Sequence, residues 1–186
     1  MSAGAEIAST PDAQTIRVII VGAGLGGLAC ALACRQGEHP LDVTLLERSE
    51  ELLPLGAGIQ LPPNATRVMA HFGLTEKLKR AGAITVEGHT LRRYRDGHIV
   101  IRKPLGTQAI ATYGAEWMAD YQNLLLGEAI DAGARLIKNA EVVNIESSEI
   151  DDAVVLKDGR RFHADMIIGA DGKHALVRKH ASITVS

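Results

Sequence analysis

The stretch Ile16–Gln36, IRVIIVGAGLGGLACALACRQ, decides the fold of this chain. Its first part, Ile16–Val21, is rich in β-branched residues and predicts a strand, because such side chains pack well on a pleated sheet. Its second part, Leu25–Gln36, consists mostly of small and apolar residues and predicts a helix that is stopped by Gly37. A strand that leads directly into a helix is the beginning of a βαβ unit.

Glycines dominate the turn between this strand and this helix. Gly22, Gly24 and Gly27 match the pattern G-x-G-x-x-G. The first allows a tight turn, the second lets a pyrophosphate approach the backbone, and the third lets the helix lie close to the strand. The N–H groups at the helix start and the positive end of its dipole can then bind a diphosphate. Ala23 and Gly26, in the same turn, are further candidate cofactor-binding residues.

An acidic residue stands at the end of the next predicted strand. Glu47 follows Gly27 by twenty residues and closes the apolar segment Asp42–Glu47. A dinucleotide-binding βαβ unit places an acid here to accept hydrogen bonds from a ribose. Its negative charge repels a 2′-phosphate and favours FAD or NAD over NADP at this first site. A glycine turn alone is weak evidence, whereas strand, glycines, helix, strand and acid in this order predict a Rossmann-like domain.

Composition excludes several classes of function. The 186 residues are 46% hydrophobic with a net charge of −2, which predicts a globular protein that does not bind nucleic acid. We find neither an apolar run long enough to span a membrane nor a secretory pattern, and we expect a cytoplasmic protein.

Cys30 and Cys34 lie four residues apart and are predicted to be buried free thiols. The scattered histidines show no metal-ligand spacing, and we predict no metal site.

The regular alternation of strand and helix stops at Ser49–Pro63. This segment holds three prolines and two glycines but is too apolar for a disordered region. We interpret it as a binding loop, with an ordered surface crossing as the alternative. The run Arg92–Arg95 is interpreted as a solvated strand edge rather than a nucleic-acid site.

The remaining segments predict further helices and two hairpins. Helices are expected over Asn64–Phe72 with Asn64 as its cap, Thr75–Ala81, Trp117–Ala132 with Leu124, Leu125 and Ile130 facing inward, and Ala175–His180. Asp-Gly turns at 96–97 and 158–159 predict hairpins between Thr90–Tyr94 and His98–Arg102 and between Ala153–Leu156 and Arg160–Ala164. With Glu141–Ile145, the second hairpin predicts an antiparallel meander. Met166–Ala170 is predicted to be a buried strand that leads to Asp171.

Three segments together resemble a known family. They are VGAGLGGLACALACRQG with VTLLER (21–37 and 43–48), GAGIQLPPN (56–64) and DMIIGADGKHALVR (165–178). In order and spacing they resemble the FAD-dependent aromatic hydroxylases, the group that contains the salicylate and 3-hydroxybenzoate hydroxylases. The resemblance covers almost all of the chain from Ile16 to Arg178.

The resemblance implies a fold and a domain layout. We expect an α/β, Rossmann-like FAD-binding domain with a parallel sheet, an antiparallel β-meander and the start of a substrate-domain sheet. Residues 1–14 are predicted to be a flexible tail, 15–186 an incomplete FAD-binding domain, and 88–114 partial substrate-domain strands. The implied function is hydroxylation of a small aromatic substrate with NADH or NADPH and O2.

By this resemblance, the first motif and the acid that follows it hold most of the FAD. Gly22, Gly24 and Gly27 would bind its pyrophosphate, and Glu47 would bind the adenosine ribose. Arg48 would lie beside the adenine.

Later segments supply the other implied contacts. Gly58 belongs to the loop that the family places near the flavin, and Val143 would lie near the adenine through its backbone. Asp171 and Gly172 form the family's DG pair. Asp171 would help to hold FAD and receive the nicotinamide donor, with a plain turn aspartate as the alternative.

The chain also departs from the family. Met118 stands where the family often has an arginine, and Gln122 could donate a neutral hydrogen bond to the flavin side or be a surface residue. Members of the family are longer and carry a later G-D motif, so we expect the N-terminal part of a hydroxylase, inactive by itself. No residue is assigned as a catalytic acid or base. The alternatives are a non-catalytic nucleotide-binding remnant and an NAD-dependent Rossmann dehydrogenase, which should continue with regular βαβ units.

Overall fold

The computed structural model describes residues 15–38, 41–52, 59–86, 88–104, 110–112, 115–147, 152–174 and 176–182. The strands are β1 (Arg17–Val21), β2 (Asp42–Leu46), β3 (Gln60–Leu61), β4 (Ile84–Val86), β5 (Gly88–Arg92), β6 (Ile99–Pro104), β7 (Ile110–Thr112), β8 (Arg135–Ile137), β9 (Val142–Ser147), β10 (Asp152–Leu156), β11 (Arg161–Ala164) and β12 (Met166–Gly169). The helices are α1 (Leu25–Gln36), α2 (Pro63–His71), α3 (Thr75–Arg80), α4 (Ala115–Asp131) and α5 (Leu176–His180), with a 3₁₀ turn at Gly172–His174.

A parallel sheet in the order β12-β1-β2-β8 forms the centre of the fold. The register places Val21 of β1 beside Leu46 of β2 on one side and beside Gly169 of β12 on the other. The carboxyl ends of these three strands therefore meet at one edge of the sheet, where open α/β sheets bind their ligands.

Both faces of this sheet are covered, as parallel sheets require. Val18 and Ile20 point to the face where α1 and α4 pack, and contribute to a core that includes Leu28 and Leu125. Their neighbours in β1, including Ile19, point to the opposite face and pack against the antiparallel strands β9, β10 and β11 through residues that include Val154. The two-residue alternation along β1 thus joins a helical layer to the meander.

The other strands form two small sheets. β3, β7 and β4 pair in that order, and β5 pairs with β6 in a separate hairpin. Every residue of β5 is exposed, and so is each residue from Arg92 to Arg95. These arginines are therefore solvated, as the sequence predicted.

The predicted fold class is confirmed, but several details were wrong. Asn64 does not cap α2, because Pro63 is already the first helical residue; its fixed φ suits that position, and Pro62 precedes it. Ile130 is 42% exposed, because Leu125 and Ala129, four residues apart, occupy the inward face of α4. Met166 is 50% exposed, since β12 is an edge strand among the described residues.

Two further expectations need adjustment. The proposed binding loop contains the short strand β3, while its central residues 53–58 lie outside the described part of the chain, as do residues 1–14. Cys30 and Cys34 are free but only partly buried, because Gly27, Leu28, Ala31 and Leu32 occupy the buried face of α1. Burial is the main cause that raises the pKa of Cys30 to about 11. Within the described residues, no helix has the length and apolar character needed to cross a membrane.

Candidate functional site: a nucleotide cleft at the glycine turn

Gly22 begins a turn that only glycine can form. Its φ is +103°, and a Cβ there would overlap the carbonyl group of Ala170. The Gly22 N–H donates to the Leu46 carbonyl at 2.8 Å, and the Ala170 N–H donates to the Val21 carbonyl at 2.8 Å. The turn therefore lies between the ends of β2 and β12. Both the positive φ and the overlap with Ala170 exclude residues that have a Cβ.

The remaining glycines of the motif have two different roles. A Cβ on Gly27 would overlap the Gly22 carbonyl oxygen, so this glycine allows the close approach of α1 to the turn. A Cβ on Gly24 or Gly26 would meet no protein atom within 4 Å. The protein itself therefore does not require glycine at these two positions, which leaves the backbone open to a ligand.

The start of α1 is built to accept an anion. Gly24 is the N-cap and no side chain caps the helix. The first intrahelical bond from this turn joins the Leu28 N–H to the Gly24 carbonyl at 3.0 Å. The N–H groups of the preceding helical residues have no intrahelical acceptor, and the helix dipole adds positive potential at the same place.

Glu47 connects this turn to the following loop. One carboxylate oxygen accepts the Ala23 N–H at 2.9 Å, and the other accepts the Ser49 N–H at 2.9 Å. The Glu47 carbonyl also accepts the Ala140 N–H at 2.8 Å. The half-buried carboxylate is therefore oriented by backbone donors from both sides.

Gln122 reaches the same turn from α4. Its side-chain amide donates to the Ala23 carbonyl at 3.2 Å. Ala23 is thus held through its N–H by Glu47 and through its carbonyl by Gln122. The part-buried amide is a contact of the glycine turn rather than a free surface residue.

Asp171 makes its contacts within the protein. Its carboxylate accepts the Leu176 N–H at 2.5 Å and the Val177 N–H at 3.3 Å, at the start of α5. This is the capping contact that a carboxylate makes at a helix N-terminus. Gly172, with φ of +69°, turns the chain away from β12 directly after it. The cofactor role of Asp171 stays a prediction.

These groups surround one cleft of about 850 Å³ at the carboxyl edge of the sheet. The predicted residues that line it are Gly22, Ala23, Gly24, Glu47, Arg48, Gln122, Asp171 and Gly172. Gly26, Gly27 and Val143 do not line it, although the neighbouring Val142 does, and Gly58 lies outside the described residues.

The first part of the predicted binding loop, Ser49–Leu52, also lines the cleft. Ala140 and Glu141 line it as well, and the sequence did not indicate these two residues. Ala140 is brought to Glu47 because β8 pairs with β2, which is a contact between distant segments. No local pattern in the sequence marks such a residue as part of a site.

A family model described as an FAD binding domain matches residues 15–186. The chain belongs to this FAD binding domain family. Gly22, Glu47, Asp171 and Gly172, which the sequence singled out, line one cleft of this domain.

Two similar proteins are monooxygenases by name, and a similar solved structure is that of an oxygenase. The chain is 33% identical to the 3-amino-4-hydroxybenzoate 2-monooxygenase of Streptomyces cremeus, over 89% of this chain and 42% of that protein. It is 35% identical to the 6-hydroxynicotinate 3-monooxygenase of Bordetella bronchiseptica, over 88% of this chain and 43% of that protein. The solved structure of 2-methyl-3-hydroxypyridine-5-carboxylic acid oxygenase matches with a TM-score of 0.78 and 27% identity, over 92% of this chain and 43% of that chain. This FAD binding domain thus spans less than half of the length of these relatives.

The charges around the cleft of this FAD binding domain are mostly negative. Its described lining contains five carboxylates, those of Glu47, Glu50, Glu51, Glu141 and Asp171, and one cationic side chain, that of Arg48. Besides Arg48, the groups of the described lining that can attract a diphosphate are the backbone N–H groups at the start of α1 and the dipole of this helix.

Proposed function

We propose that this chain is the FAD-binding part of a flavin-dependent monooxygenase that hydroxylates a small aromatic substrate with NADH or NADPH and O2. The observation that carries the proposal is the joint position of the open backbone at Gly24, the uncapped start of α1 and the carboxylate of Glu47 in one cleft. The names of the relatives, which include monooxygenases of hydroxybenzoate and hydroxynicotinate, support the reaction class.

The residues of the cleft fit the nucleotide half of FAD. A pyrophosphate at Gly24 would meet no Cβ and would face the N–H groups of α1. Each carboxylate oxygen of Glu47 accepts one backbone N–H, and a carboxylate offers about four acceptor positions. Glu47 can therefore keep both backbone contacts and still accept hydrogen bonds from ribose hydroxyls.

The protein's part in the reaction is to bind and orient the cofactor. When bound, FAD would supply the redox and oxygen chemistry. The residues at the glycine turn and Glu47 would hold its adenine dinucleotide end in a fixed position, and Gln122 would stabilise the turn from α4. We assign no residue as acid or base.

Residues 88–114 form, in this proposal, the first strands of a substrate domain. β5 and β6 pair with each other in a sheet that is separate from the parallel sheet and the meander. Leu91 and Ile101, opposite each other in this hairpin, are 59% and 55% exposed. A two-stranded hairpin with exposed apolar side chains is marginally stable alone, which supports a role as part of a larger sheet.

A cytoplasmic location of the protein remains a prediction.

The test is the visible spectrum of the purified chain after incubation with FAD and removal of free flavin. Retained flavin absorption in stoichiometric amount is the expected result. NADH or NADPH oxidation that rises with added phenolic acids would show that the chain is active by itself and would overturn the expectation that it is inactive alone. Binding of NAD in place of FAD would contradict the proposal and favour a dehydrogenase.

A further inference from the structure

A second, smaller cavity adjoins the cleft. It has a volume of about 380 Å³ and is lined by Arg48, Asn139, Glu141, Lys157 and Asp158. Arg48 and Glu141 line both cavities. The two cavities therefore meet at these two side chains, and a ligand that fills the larger one would present its end to the smaller one.

The wall of this second cavity is the turn between β10 and β11. The Lys157 N–H donates to the Glu141 carbonyl at 2.9 Å, and the Lys157 ammonium lies 2.9 Å from the Glu141 carboxylate. The Arg160 guanidinium donates to the Asn139 carbonyl at 3.0 Å. Side-chain and backbone contacts thus place the turn firmly against the segment that leads into β9.

The segment that leads into β9 also contacts Glu47, the acid that the sequence assigns to ribose binding. The Ala140 N–H donates to the Glu47 carbonyl at 2.8 Å, and Glu141 is the next residue. Glu47, Ala140 and Glu141 all line the larger cleft, and Glu141 also lines the second cavity. A base carried by a ribose at Glu47 can therefore extend past Ala140 to Glu141.

The charge of the second cavity suits a neutral polar ring. Arg48 and Lys157 contribute two positive charges, and Glu141 and Asp158 contribute two negative charges. A phosphate would meet as much repulsion as attraction from these side chains. A purine base instead offers hydrogen-bond donors and acceptors side by side, which the adjacent ammonium and carboxylate can satisfy.

We propose that Lys157 and Glu141 recognise the polar edge of the adenine of the cofactor. This inference rests on the proposed binding of FAD. The Glu141 carboxylate accepts from the exocyclic amino group, and the Lys157 ammonium donates to a neighbouring ring nitrogen. In a deaminated base, a carbonyl oxygen replaces the amino donor and faces the Glu141 carboxylate, which weakens binding.

The exposure of the pair makes this recognition possible. The side chains of Lys157 and Glu141 are 71% and 49% exposed. An ion pair in such a position contributes little stability by itself, so both groups can shift onto a base at small cost. The same exposure makes the expected selectivity moderate.

The test compares the affinity of the 186-residue chain for FAD and for its deaminated analogue, flavin hypoxanthine dinucleotide. Titration by flavin fluorescence should show that the unmodified chain binds FAD about three- to tenfold more tightly than it binds the deaminated analogue. Glu141→Gln should bring this ratio close to one, because the glutamine amide can turn to donate to the carbonyl oxygen. Lys157→Met should also lower the ratio, because the ammonium donates to N1 of adenine, whereas N1 of the deaminated base carries a proton and cannot accept.

A second ion pair of the meander provides matched controls. Arg161 and Glu146 lie 3.2 Å apart, are 59% and 44% exposed, and line neither cavity. Arg161→Met and Glu146→Gln should keep the selectivity of the unmodified chain.

The outcomes separate this inference from the proposed function. Equal affinity of the unmodified chain for both dinucleotides, or full selectivity in both Glu141→Gln and Lys157→Met, would overturn the inference alone. If the chain binds neither dinucleotide, both the proposed FAD site and this inference are overturned.

Discussion

The Ala23 N–H donates to the Glu47 carboxylate at 2.9 Å and joins the glycine turn to the end of β2. The other oxygen of the same carboxylate accepts the Ser49 N–H. The residue that the sequence assigns to ribose binding therefore also shapes the turn that would bind the pyrophosphate. A substitution at Glu47 should act on both parts of the cleft at once.

Glu47→Gln should lower both stability and FAD affinity. An amide has one acceptor oxygen, so one of the two backbone donors would face an NH2 group. We expect a loss of about 1–2 kcal/mol in the free energy of unfolding, measured by urea denaturation, and about tenfold weaker FAD binding. Glu50→Gln, at an exposed position of the same cleft, is the control and should leave stability nearly unchanged.

Gly24→Ala should separate binding from stability. Gly24 has φ of −72° and ψ of 179°, which alanine adopts readily, and its Cβ would meet no protein atom within 4 Å. The melting temperature should therefore stay nearly the same. FAD affinity should fall by about tenfold or more, because the new methyl group would occupy the surface that the pyrophosphate approaches. Unchanged FAD affinity in this variant would be evidence against a pyrophosphate at Gly24.

Gly27→Ala should be strongly destabilising, and Gly26→Ala should not. The Cβ of the first variant would overlap the Gly22 carbonyl and push α1 away from the turn. We expect a loss of about 2–4 kcal/mol, which chemical denaturation would measure. Gly26→Ala is the matched control in the same helical turn, where alanine has open space and should raise stability by up to about 1 kcal/mol. Equal effects of the two substitutions would contradict the packing described for α1.

Asp165 should contribute to the loss of stability in acid. Hydrogen bonds from the Arg17 side chain and backbone lower the pKa of its carboxyl group from 3.8 to about 2. Because the folded pKa lies below the unfolded one, the contribution is present above about pH 4. It is lost as the pH falls through about 2.

The corresponding measurement is the urea midpoint as a function of pH. Asp165→Asn should show a lower midpoint at neutral pH and a smaller decrease between about pH 4 and pH 2 than the unmodified chain. Arg17→Met removes the partner side chain and should also reduce the slope in this window. An unaltered slope in Asp165→Asn would show that this pair does not contribute to the acid transition.

The sequence by itself determined the local frame of the site. β-branched residues, then a glycine turn, then small apolar residues predicted β1, the turn and α1, because period and turn chemistry are local properties. α1 has the predicted bounds, and Glu47 lies beside the turn. The Asp-Gly hairpins and the meander were predicted for the same reason. The assignment of Asn64 as a cap failed because the sequence also offered Pro63, whose restricted φ favoured an earlier start.

Only the tertiary structure decided how distant segments complete the cleft. Pairing of β8 with β2 places Ala140 on the Glu47 carbonyl, and the β10–β11 turn places Lys157 on Glu141. These relationships depend on the pairing and packing of strands and helices far apart along the chain, which no local spacing of residues records.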